Sequence, residues 1–103
     1  MAPLKELVQA IFEKTRAGKL LWSELASNAF LTNIGDNSAV ISREGNNFDL
    51  VFRNSEGHVL EEIYAGRSEY NEANLDELYE AARRQALRVN ETLIEMKRNL
   101  DKL

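Results

Sequence analysis

The chain has 103 residues, with 13 Lys and Arg against 17 Asp and Glu, one His, one Pro and no Cys. That length supplies one hydrophobic core and no second, and the lack of Cys excludes a disulfide framework, a thiolate nucleophile and any sulfur-ligated metal. No apolar run exceeds three residues, far short of the about 20 that a membrane helix needs.

In chain order, Leu4, Leu7, Val8, Ile11 and Phe12 recur at spacings of three and four, which predicts an amphipathic helix starting at Pro3. Ala17-Gly18-Lys19 ends it, because Gly18 can take the left-handed conformation that closes a helix. Leu20-Leu21-Trp22 is too apolar for a free linker and is expected to fold beneath that helix, with Trp22 as an anchor. Ser23 to Asn28 reads either as a short helical turn capped by Ser23 or as an irregular connection.

The period then changes to 2. Phe30, Thr32 and Ile34 alternate with Leu31 and Asn33, Gly35-Asp36-Asn37 gives a turn, and Ala39 to Arg43 reads as a second strand. After a turn at Glu44 to Asn47, Phe48, Leu50 and Phe52 alternate with Asp49, Val51 and Arg53 in a third strand. Asn54-Ser55-Glu56-Gly57 is a hairpin loop with glycine where positive φ is needed, and His58 to Tyr64 forms the fourth strand. Residues 65–72 cross to a final helix. There Leu75, Leu78, Ala82, Ala86, Val89, Leu93, Met96, Leu100 and Leu103 keep spacings of three and four, predicting one helix roughly 40 Å long.

The expected fold is therefore α+β in the order α-β-β-β-β-α, a single domain over residues 1–103. An N-terminal helix and a long C-terminal helix cover one face of a four-strand antiparallel meander. Its expected core is Leu7, Val8, Ile11, Phe12, Trp22, Phe30, Val40 or Ile41, Phe48, Leu50, Phe52, Ile63, Leu78, Tyr79, Ala82, Ala86 and Val89.

Catalytic signatures are sparse. His58 is the only imidazole, and an enzyme reading would need it to converge with Glu61, Glu62, Tyr64 and Tyr70. Glu61 and Glu62 are strand neighbours whose side chains point to opposite faces, whereas Glu62, Glu44 and Asp49 could meet across the sheet. One His and no Cys make a structural zinc site atypical, and glycines at 18, 35, 45, 57 and 66 are too dispersed for a phosphate-cradling loop. No catalytic residue, cofactor or metal site is assigned. Arg83, Arg84 and Arg88 form the one basic cluster, read as compensation of the helix dipole and pairing with nearby carboxylates rather than as a nucleic-acid contact.

Charge is uneven: residues 44–80 hold ten carboxylates offset only by Arg53 and Arg67. This acidic middle repels polyanions and attracts basic partners. A second surface follows from lengths. Strands of five residues span about 17 Å, so a helix near 40 Å overhangs them, leaving Leu93, Met96, Leu100 and Leu103, with Ile94 beside them, as an exposed apolar stripe over residues 93–103. The leading functional expectation is a non-enzymatic interaction module that uses this stripe for self-association or a protein partner, with no nucleic acid and no membrane involved. The alternative is an inhibitor or immunity-type protein presenting an acidic face (Glu44, Asp49, Glu56, Glu61, Glu62) to a basic enzyme site; a small enzyme or ligand-binding domain comes third. The start Met1-Ala2-Pro3-Leu4-Lys5-Glu6 lacks the features of a secretory signal, so the expected address is cytoplasmic.

The segments Lys14-Thr15-Arg16-Ala17-Gly18-Lys19-Leu20-Leu21-Trp22 and Leu78-Tyr79-Glu80-Ala81-Ala82-Arg83-Arg84-Gln85-Ala86-Leu87, with the meander between them, resemble a group of small bacterial proteins. These share a K-T-x-x-G-K-L-x-W and L-Y-x-x-A-R-R-x-A-L pattern, to which no activity attaches. The resemblance spans nearly the whole chain, implies a bacterial or phage source and an α+β domain, and transfers no catalytic residue.

Overall fold

A computed structural model describes residues 4–64 and 75–103. The chain order is α1 (Leu4–Arg16), β1 (Trp22–Ala26), β2 (Ala29–Ile34), β3 (Asn37–Glu44), β4 (Asn47–Arg53), β5 (Val59–Tyr64), α2 (Leu75–Ala86) and α3 (Val89–Asp101). The five strands pair in sequence order, each antiparallel to the next. Two-residue connections fix the order of β1 to β4, since such turns can only join adjacent antiparallel strands, and a five-residue loop joins β4 to β5. Gly35 and Gly45 occupy two of these turns at φ 64° and 60°, a conformation that a side chain would strain.

Register explains which residues form the core. Phe30, Ile41, Leu50 and Ile63 lie opposite one another across β2 to β5, as do Thr32, Ala39 and Phe52, and all are buried. Because side chains alternate along a strand, these rows share one face, which packs against Val8 and Ile11 of α1 and Leu75, Leu78, Tyr79 and Ala82 of α2. Tyr79 packs against the rings of Phe30 and Phe48 at 5.6 and 5.5 Å, within the range where aromatic pairs attract.

Three expectations are corrected. The sheet has five strands rather than four, because Trp22–Ala26 is an edge strand. Only Trp22 of its five residues is buried, so no alternation of apolar and polar residues marked it. The C-terminal helix is two helices: the chain turns at Leu87 and Arg88, with Arg88 in the left-handed conformation at φ 54° and ψ 45°. Leu87 and Arg88 donate their N–H groups to the Arg83 and Gln85 carbonyls and close α2, while the Arg88 carbonyl already accepts from Thr92 of α3. No Gly or Pro signals the break, and the apolar spacing runs straight through it. Leu7, expected in the core, is 38% exposed, since Leu4 and Val8 take the inward angle of α1. The crossing segment 65–72, and Tyr70 with it, lie outside the described residues.

Trp22 is fixed from two sides. Its indole Nε1–H donates to Thr15 Oγ1 at 2.9 Å, and that hydroxyl donates to the Ile11 carbonyl at 2.7 Å. Its backbone N–H donates to Gln85 Oε1 at 2.8 Å, while Gln85 Nε2–H donates to the Leu20 carbonyl. One side-chain amide of α2 thus serves both a donor and an acceptor at the sheet edge, as a neighbouring strand would.

Candidate interaction surfaces

α3 contains no buried residue. Leu93, Ile94, Met96 and Leu100 are 52, 60, 56 and 67% exposed, and Leu103, beyond the helix, is 99% exposed. The molecule measures 57 × 30 × 23 Å with a radius of gyration of 15.2 Å, against about 13 Å for a compact domain of this length, because α3 extends from the body as an arm. At about 100° per residue, Val89, Leu93, Met96 and Leu100 fall on one stripe, with Leu103 continuing it. Ile94 sits roughly 140° from the centre of the stripe by the same geometry. Polar residues Asn90, Thr92, Lys97 and Asn99 border it. Glu91 and Glu95 lie in the first half of the helix, and Lys97, Arg98, Asp101 and Lys102 in the second or just past it. Arg88 pairs with Glu91 and Lys97 with Asp101 at 2.9 Å, both exposed and therefore worth little to stability.

A second surface lies on the sheet face opposite α1 and α2. Register places Leu31, Val40, Val51 and Glu62 in one cross-strand row, and Ala29, Ser42, Asp49 and Tyr64 in the next. Among the described residues, no helix packs on this face. Val40 is nevertheless buried, and Leu31 and Val51 are half-buried. Asp49 Oδ1 is buried and, among the described residues, accepts no hydrogen bond. Burial, a hydrogen bond shared with Glu62 and the charge of Glu62, in that order, push the Asp49 carboxyl up from 3.8 to about 7.

Only part of the predicted acidic face is brought together. Asp49 and Glu62 are diagonal neighbours and Glu44 lies at the hairpin end of the same face, opposite Asn47. Glu61 has the opposite parity, opposite Phe52, and Glu56 lies in the turn before β5, 3.6 Å from His58. The His58 and Glu56 side chains are 75 and 74% exposed. Asn54 Oδ1 organises this turn by accepting the N–H groups of Glu56 and His58, each at 3.0 Å. His58, Glu61, Glu62 and Tyr64 do not converge on a common point.

The basic cluster also has ordinary partners. Glu80 contacts Arg83 at 3.1 Å and Arg84 at 3.6 Å. Between the ends of α1 and α2 and the start of α3 lies an open cleft of about 450 Å³ containing Arg16, Arg84, Arg88 and Glu91. Among the described residues, no His, Cys, Asp or Glu group has a metal-binding arrangement, and no helix is long and apolar enough to cross a membrane.

The sequence reading missed the row Leu31, Val40 and Val51 as a surface. Each residue is apolar, and strand periodicity does not reveal which of two apolar faces is covered. The fold thus defines an α+β domain with a five-strand antiparallel meander, helices on one face and a protruding helical arm. Compared with family models, curated proteins and solved structures, the chain matches none.

Proposed function

We propose that this protein is a non-enzymatic, cytoplasmic interaction module that recognises its partner through the apolar stripe of α3. One observation carries the reading: a 13-residue helix with no buried residue holds Leu93, Met96 and Leu100 at helical spacing. An isolated helix of this length is marginal in water, and in proteins such helices gain stability by packing an apolar face. Monomers rarely leave a contiguous apolar stripe uncovered, and such stripes mark association sites. The helix-in-groove mode, with anchors spaced by three and four, is the recognition chemistry this face suits.

The testing variant is Leu93→Glu/Met96→Glu. Both side chains are more than half exposed, so the isolated domain is expected to keep its melting temperature within about 2 °C, while association measured by light scattering is lost. A double variant that unfolds would place the stripe in the chain's own core and refute the reading.

A further inference from the structure

Two surfaces of this chain lack a packed helix among its described residues, and they match in size and in the sign of the charges that border them. The arm α3 is about 20 Å long at 1.5 Å per residue. The sheet it could lie on is about 19 Å wide, five strands at about 4.8 Å spacing, and has Leu31, Val40 and Val51 along its middle. The bordering charges are opposite. Asp49, Glu62 and Glu44 lie on the sheet face, and Lys97 borders the α3 stripe about 80° from its centre. Arg98 and Lys102 lie on the far side of the arm, where Glu91, Glu95 and Asp101 offset them. Among the described residues Lys97 is held by an exposed pair with Asp101 that is readily exchanged, and Glu62 is exposed on the sheet face.

We infer that α3 of one copy docks on the helix-free sheet face of a second copy, its stripe over Leu31, Val40 and Val51 and Lys97 against the exposed Glu62 carboxylate. This rests on the reading of α3 as the interaction arm and names its partner. Docking places helices on both faces of the sheet, so each copy supplies the layer the other lacks. Reciprocal exchange closes a two-fold dimer in which each copy gives an arm and receives one. The alternative of α3 against α3 would bury the stripes but leave the sheet face as it is.

Light scattering across a hundredfold dilution, with circular dichroism as the control for folding, tests this on the full chain. The wild type should form a dimer that dissociates on dilution, and Leu93→Glu/Met96→Glu should be a folded monomer. Glu62→Lys and Lys97→Glu should each weaken the dimer about five- to tenfold, as loss of a bordering charge pair does. An equimolar mixture of those two variants should recover part of the loss, because the arm of one then meets the face of the other with opposite charge. A dimer indifferent to Glu62→Lys but abolished by Leu93→Glu/Met96→Glu would assign the contact to α3 against α3 and overturn the inference. A wild type monomeric throughout would also overturn it, while leaving α3 free for another protein. Unfolding of Leu93→Glu/Met96→Glu would instead refute the interaction-arm reading itself.

Discussion

Replacing Asp49 by Asn should make stability less sensitive to pH, with a sign fixed by the native carboxyl. In the unfolded chain Asp49 titrates at its ordinary 3.8, and in the native sheet at about 7. Between those values the folded protein holds a proton that the unfolded one has released, so the wild type loses stability from this group as pH rises from about 4 to 7 and regains none above. A fully sheltered group with that displacement would cost about 4 kcal/mol. Asp49 is half-buried, so solvent screening reduces this to about 1–2 kcal/mol. Asparagine has the shape of the neutral acid and can donate to Glu62. Asp49→Asn should therefore match the wild type at pH 4 and exceed it by about 1–2 kcal/mol at pH 8, roughly 5–10 °C in melting temperature. Urea unfolding followed by Trp22 fluorescence from pH 4 to 8 measures the difference, with the other carboxylates common to both proteins. A difference constant across that range, or a less stable variant at pH 8, would refute the reasoning.

Thr15→Val should cost about 1–3 kcal/mol in chemical denaturation, because the Trp22 indole N–H loses its acceptor at a buried site; a smaller effect would mean that Trp22 finds another partner. Arg88→Gly should raise stability by up to about 1 kcal/mol by removing left-handed strain at φ 54°, partly offset by the greater freedom of the unfolded chain. Arg88→Val should lower it, since a branched side chain suits that conformation worse. If both variants melt alike, Arg88 is not strained in solution. Light scattering on Leu93→Glu/Met96→Glu tests the proposed function, as set out above.

The sequence revealed what local rules control. The alternation of Phe48, Leu50 and Phe52, the turn glycines and the spacing of Leu4, Val8 and Ile11 placed four strands and the first helix, because each signal depends on nearby residues. β1 was hidden because an edge strand with only Trp22 buried carries no two-residue period. The break at Arg88 was hidden because a left-handed arginine has no composition signature. The bond of Trp22 to Gln85 joins residues 63 positions apart, a relation no local window of sequence contains. The stripe at Leu93, Met96 and Leu100 was legible as a period. That α3 stands off the body was legible only as a mismatch of lengths, since the sequence does not state where a helix bends.

The Gln85 amide at the edge of β1 has a consequence for how the sheet ends. A free edge strand presents alternate N–H and C=O groups that any extended chain can join, the usual first step of strand-on-strand aggregation. Here the Leu20 carbonyl and Trp22 N–H, successive positions on that edge, are already taken by one glutamine. An incoming strand would have to displace a group tethered to a packed helix, and would find its first two pairing positions occupied. The start of β1 is thus capped at Leu20 and Trp22 without a sixth strand, while Ser23 to Ala26 stay exposed along the rest of the strand.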